Sequence, residues 1–296
     1  MAVSVVPAYR VVATLVRRAT PLPADEAIDA VESGLREYVR SLLSTLHPSI
    51  MGIGERSAIA QIGDPDMESL LEALVAIEQG GARSVATDAL EAASRTLPRP
   101  DLKSRVLLFP GDAESRVLSE QMNGALGFSL GAQVMMVFVW PVDGWREWLG
   151  YTVAHEYAHL VRNLLFPRGL SGGKFVYMKT SLPETLLDAM VIEGIADRFA
   201  QGVYPDAEPR WVDALDDDAS HRMWRRVRRR LAVSDPQEIR RMLFRDNDRI
   251  VRWTGYTFGY RIVESYLEAN PGLQPAQLVS VPASTILAGS KFASDS

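Results

Sequence analysis

The 296-residue chain contains no cysteine. That excludes a disulfide framework, a thiolate-bound zinc and a cysteine nucleophile. Histidine is scarce too: there are four, His47, His155, His159 and His221. No strong charge excess exists either. A net charge of −5 with 23% charged residues gives no reason to expect nucleic acid or an anionic membrane as partner. A membrane span is also missing. The uncharged stretch Gln121 to Val142 is broken by Gly124, Gly127 and Gly131 and carries Pro141, so it reads as two short buried strands. The opening residues do not make a secretory signal, because Arg10 interrupts the apolar part and the charges follow it. The expectation is a cytoplasmic protein of one or two domains, with 47% hydrophobic residues to fill a core.

Against that scarcity, two of the four histidines stand four residues apart in His155-Glu156-Tyr157-Ala158-His159. On a helix, positions i and i+4 share a face, so both imidazoles can meet one ion. Neutral imidazole suits zinc, and a catalytic zinc takes three protein ligands and keeps one position for water. Glu156 can then take a proton from that water and deliver it to a leaving amine. Asp143 is a plausible N-cap, no proline interrupts the following residues, and Pro167 with Gly169 ends the run.

Elsewhere the pattern is coarser. Arg10 to Val16 reads as a first strand and Ala24 to Leu46 as an amphipathic helix closed by His47-Pro48. Met51-Gly52-Ile53-Gly54 reads as a connection, and Asp66 to Leu97 as helix with a break at Gly80-Gly81. After Pro98-Arg99-Pro100, strands are expected at Arg105–Phe109, Gly124–Leu130 and Gln133–Val139, delivering the chain into the motif helix. A sheet placed there could offer an edge strand to an extended peptide.

The third ligand must come from further on. A metzincin needs glycine at 162 and histidine at 165, where this chain has Arg162 and Leu165. The next helix offers Glu193 amid Met190, Val191, Ile192 and Ile195, where an unpaired carboxylate is costly to bury. Asp197, one turn on, can accept the remaining N–H of a metal-bound histidine. Ser181 with Glu184 looks like a capping box for that helix, and Pro167 to Thr180 like a glycine-rich loop. Six arginines between Arg222 and Arg230 follow Asp216-Asp217-Asp218, and are read as a solvated or ion-paired helix face. Thr254 is expected to cap a helix to Glu268 on which Gly255 and Gly259 share one face, and Tyr256 and Tyr260 another. Either phenol could donate to an oxyanion, with Arg261 and His221 as further candidates.

H-E-x-x-H followed by Glu193-Gly194-Ile195-Ala196-Asp197 resembles the gluzincins, metallopeptidases with a His, His, Glu zinc site. Together with Gly255-Tyr256-Thr257-Phe258-Gly259-Tyr260-Arg261-Ile262-Val263, it more narrowly resembles the YjaZ-like family of predicted zinc-dependent proteases, over roughly residues 100 to 285. The resemblance implies peptidase chemistry on a peptide or protein substrate. The expected fold is α+β, mostly helical, with a small, mainly antiparallel sheet next to the motif helix. Residues 1–97 would form a helical N-terminal region and 98–296 a zincin-like domain. The expected site has Zn2+ on His155, His159 and Glu193, Glu156 as base, Asp197 behind a ligand, and Tyr256 or Tyr260 at the oxyanion. Two other classes stay open from the residues alone: a catalytically silent zinc protein with a binding or chaperone-like role, and an interaction protein with a chance motif.

Overall fold

The computed structural model describes residues 2–62, 66–112, 114–166, 185–244 and 250–293. The fold is α+β and mostly helical, with one four-stranded sheet among the described residues. It divides into two compact units, Met1–Leu160 and Val161–Ser296.

The first unit opens with β1 (Ala2–Val6), followed by α1 (Tyr9–Ala19), α2 (Ala24–Leu43), α3 (Pro48–Ile62), α4 (Met67–Gln79) and α5 (Ala82–Thr96). Strands β2 (Lys103–Pro110), β3 (Ala125–Leu130) and β4 (Val134–Val139) then lead into α6 (Trp145–Leu165). Two sequence expectations are corrected here. Arg10 to Val16 lies in α1 and not in a strand. Its buried residues, Tyr9, Val12, Ala13, Val16 and Ala19, recur every three or four positions, which is helical spacing despite the β-branched content. Met51 to Gly54 is not a connection but part of α3. Gly54 serves packing: a Cβ there would stand 2.4 Å from Leu43 Cδ1. The break at Gly80-Gly81 is where expected, with Gly81 left-handed (φ 71°) between α4 and α5.

The sheet order is β1-β2-β4-β3. It is mixed, not mainly antiparallel as the sequence suggested. β1 pairs parallel with β2, and β2 parallel with β4, while β3 and β4 form an antiparallel hairpin. The reason is connectivity: five helices separate β1 from β2, and such long crossovers bring strands back parallel. Gly131, at φ 63°, turns the hairpin. β4 is buried along its whole length, as a central strand should be, and β3 is an edge.

In the second unit, α7 (Leu186–Val203) packs on α10 (Thr254–Ala269), with α8 (Asp217–Val227), α9 (Pro236–Phe244), α11 (Pro275–Leu278) and α12 (Ala283–Ala288) around them. A Cβ on Gly194 would fall 2.2 Å from Gly259 O, and one on Gly259 1.9 Å from Met190 O, so the two backbones touch through their glycines. α7 starts at Thr185, whose hydroxyl accepts from Asp188 N while Asp188 accepts from Thr185 N. The expected capping pair Ser181 and Glu184 and the glycine-rich loop before it lie outside the described residues. Thr254 is the first residue of α10 rather than its cap; Trp253 precedes it at φ 65°, and Thr254 Oγ1 donates to Val251 O.

These close approaches predict opposite effects for two alanines. Gly259→Ala meets main-chain atoms that cannot swing aside, and should lower stability by about 1–3 kcal/mol or more. Gly202→Ala, on α7 with nothing within 4 Å of the new Cβ, should raise it by about 0.5–1 kcal/mol. Thermal unfolding of both variants beside the parent checks the pair.

Candidate metal centre and active site

α6 is buried almost all round, so each polar group on it must be satisfied. Within the first unit, Thr152 Oγ1 donates to Ala125 O at 3.3 Å. Tyr157 OH donates to Leu97 O at 2.9 Å. Glu156, 5% exposed, accepts at Oε2 from Ser129 Oγ at 2.7 Å. In the second unit, Arg162 Nη1 reaches Val279 O (2.9 Å) and Val281 O (3.0 Å), closing the end of α11, and its guanidinium lies over the Phe166 ring.

The two histidines are arranged differently from these groups. His155 is buried and His159 half-buried, and their Nε2 atoms converge to 3.0 Å. His155, Glu156 and His159 each offer an atom within 4.8 Å of the others, the arrangement expected of a metal site. The donor set fits zinc. Two imidazole nitrogens each about 2.0–2.1 Å from one tetrahedral ion would be about 3.3 Å apart. The absence of sulfur among the ligands follows from the absence of cysteine.

β3 lies against this face because Gly127 has no side chain. A Cβ there would stand 2.6 Å from Glu156 Cγ and 2.9 Å from Thr152 Cγ2. Gly127 and Ser129 were not singled out from the sequence as site residues. An isolated glycine in a strand does signal a close backbone approach. Nothing local pointed to Ser129, which is 27 residues from Glu156.

In the second unit, Glu193 is half-buried on α7 and Asp197 is fully buried one turn later. Trp211 Nε1 donates to Asp197 Oδ2 at 2.8 Å, and Thr257 Oγ1 donates to the main-chain Trp211 O at 2.7 Å, which holds the backbone that carries that indole. The oxyanion candidates differ sharply. Tyr260 OH donates to Gln201 Oε1 (2.7 Å) and accepts from Arg198 Nη1 (2.6 Å). Burial pushes its pKa up, against the opposing pull of Arg198. Tyr256 sits half-buried among Trp211, Trp253 and Phe244, with ring centroids 5.3–6.1 Å apart. Arg261 holds Ser220 Oγ (2.6 Å) and Leu215 O (3.1 Å) at the start of α8. His221 is exposed on α8.

The family model described as predicted Zn-dependent protease (DUF2268) matches residues 82–288. No curated protein and no solved structure matches the chain. No helix among the described residues is long and apolar enough to cross a membrane.

Tyr157 gives a pH signature for the seating of α6. Burial pushes its phenol up to about 12 from an ordinary 10.0. Between those values the folded chain holds a proton that the unfolded chain has released. Its contribution is therefore intact below about pH 10 and falls as pH rises toward 12. Tyr157→Phe should flatten that alkaline fall in denaturant titrations, and lower stability at neutral pH by about 0.5–1.5 kcal/mol through the lost bond to Leu97 O.

Proposed function

The chain belongs to the family of predicted Zn-dependent proteases, and from that membership we propose that it is a zinc-dependent peptidase that hydrolyses peptide bonds in peptide or protein substrates. The observation that carries the reading is the convergence of the His155 and His159 Nε2 atoms with Glu156 beside them.

The proposed ligands are His155, His159 and Glu193, the last from the E-G-x-A-D pattern on α7. When bound, zinc would polarise the substrate carbonyl and acidify a coordinated water. Glu156 takes a proton from that water and passes it to the departing amine. Ser129 fixes Oε2 of that carboxylate, so Oε1 carries the proton. Asp197, held by Trp211, is proposed to orient a ligand histidine through its ring N–H. Tyr256 or Tyr260 is proposed as the oxyanion donor, and Tyr260 would have to release Gln201 to act as one. The edge strand β3, beside Glu156, is proposed to pair with the backbone of an extended substrate.

Metal analysis beside hydrolysis of casein or a peptide library tests this directly. The parent should carry zinc and cleave. Glu156→Gln should keep the zinc and lose cleavage by roughly 10²–10⁴-fold. Ser129→Ala should keep the zinc and lower kcat roughly tenfold, since a bond to a carboxylate is removed. Glu193→Ala should lose zinc; full retention would remove it from the ligand set. Zinc in every variant with cleavage in none would overturn the peptidase reading in favour of a silent zinc protein.

A further inference from the structure

Of the arginine run read from the sequence as a solvated or ion-paired face, Arg230 pairs with Glu238, and part of the remainder is solvated. His221, Arg222, Arg225 and Arg229 are all exposed, on α8 and the 3-10 turn that continues it to Arg230. Arg222, Arg225 and Arg229 have no carboxylate partner among the described residues. Some exposed arginines of the first unit do find one, such as Arg10 with Glu78, Arg40 with Glu55 and Arg95 with Glu91, while others such as Arg17, Arg18 and Arg83 stand singly and do not line one helix face. The acidic run at the start of α8 forms no ion pair with Arg222, Arg225 or Arg229 among the described residues, although Asp218 precedes Arg222 by four. Asp216 Oδ1 accepts from Ala219 N as the N-cap, and Asp217 and Asp218 occupy the first turn, where carboxylates suit the helix dipole.

Like charges then stack along the helix. Arg225 follows Arg222 by three residues and Arg229 follows Arg225 by four, spacings that are destabilising for charges of one sign. The opposite side of α8 buries Met223, Trp224 and Val227, so no apolar face is left to enter a lipid interface. What remains is an arginine face about 12 Å long, from His221 to Arg229, with guanidinium forks whose geometry matches carboxylates or phosphates.

We propose that this face of α8 binds acidic segments of polypeptide, through Arg222, Arg225 and Arg229. The choice of polypeptide over nucleic acid rests in part on the peptidase reading, under which the face selects substrates rich in Asp and Glu. It also rests on length and surroundings. About four extended residues span the face. The chain's net charge of −5 supplies no wider excess of positive charge for a phosphate backbone to follow.

The test is fluorescence anisotropy of labelled octaglutamate with the full chain carrying Glu156→Gln, so that binding is read whether or not the chain cleaves peptides. Octauridylate and phosphatidylserine vesicles are run alongside. Octaglutamate should bind at low ionic strength and weaken with added salt. The triple variant Arg222→Gln, Arg225→Gln, Arg229→Gln should bind it about tenfold or more weakly, with the helical circular dichroism and zinc content unchanged. Absence of octaglutamate binding, equal binding by the triple variant, or tighter binding of octauridylate or vesicles would each overturn the proposal.

Discussion

The approach of an edge strand to a buried helix sets the geometry on which the first unit's chemistry depends. β3 comes so near α6 that Gly127 has no room for a side chain beside Glu156 and Thr152. At that distance Thr152 can bond Ala125 O, and Ser129 can bond the Glu156 carboxylate. The same strand thus seats the helix and fixes the carboxylate proposed as the base. A carboxylate with 5% exposure is costly without such a donor. The histidines, one turn apart on that helix, share the face on which their Nε2 atoms converge.

The second unit solves a similar problem with a different contact. α7 carries Glu193 and Asp197 and is held on α10 through Gly194 and Gly259, where the backbones meet. Close main-chain packing leaves little freedom for α7 to slide. The fully buried Asp197 is anchored by Trp211, which Thr257 of α10 holds in turn. The residues of the E-G-x-A-D and G-Y-x-x-G-Y patterns therefore act partly on each other, which accounts for glycine at both 194 and 259.

The sequence made the elements with a strong local signature legible. The motif helix, the three strands before it and the paired helices broken at Gly80-Gly81 all stand close to their expected bounds. Features decided by distant partners were not. Val11, Val12 and Val16 suggested a strand by type, yet their positions serve a helix that buries one face. The direction of β1 and β2 depends on helices between them, which no short window contains. In the site, the H-E-x-x-H spacing alone located His155, Glu156 and His159, because helical periodicity fixes their common face. Ser129 escaped notice because its partner is far along the chain and serine is common in strands. Tyr256 and Tyr260 looked equivalent in sequence, and their partners distinguish them: one lies among aromatic rings, the other is tied to Gln201 and Arg198.

The most direct measurement is zinc K-edge X-ray absorption of the purified protein beside His159→Ala. The account predicts a first shell of nitrogen and oxygen only, with imidazole scattering that falls by one ring, or vanishes with the metal, in the variant. A protein that takes up no zinc, or an imidazole signal unchanged by His159→Ala, would contradict the central claim that α6 presents a metal site.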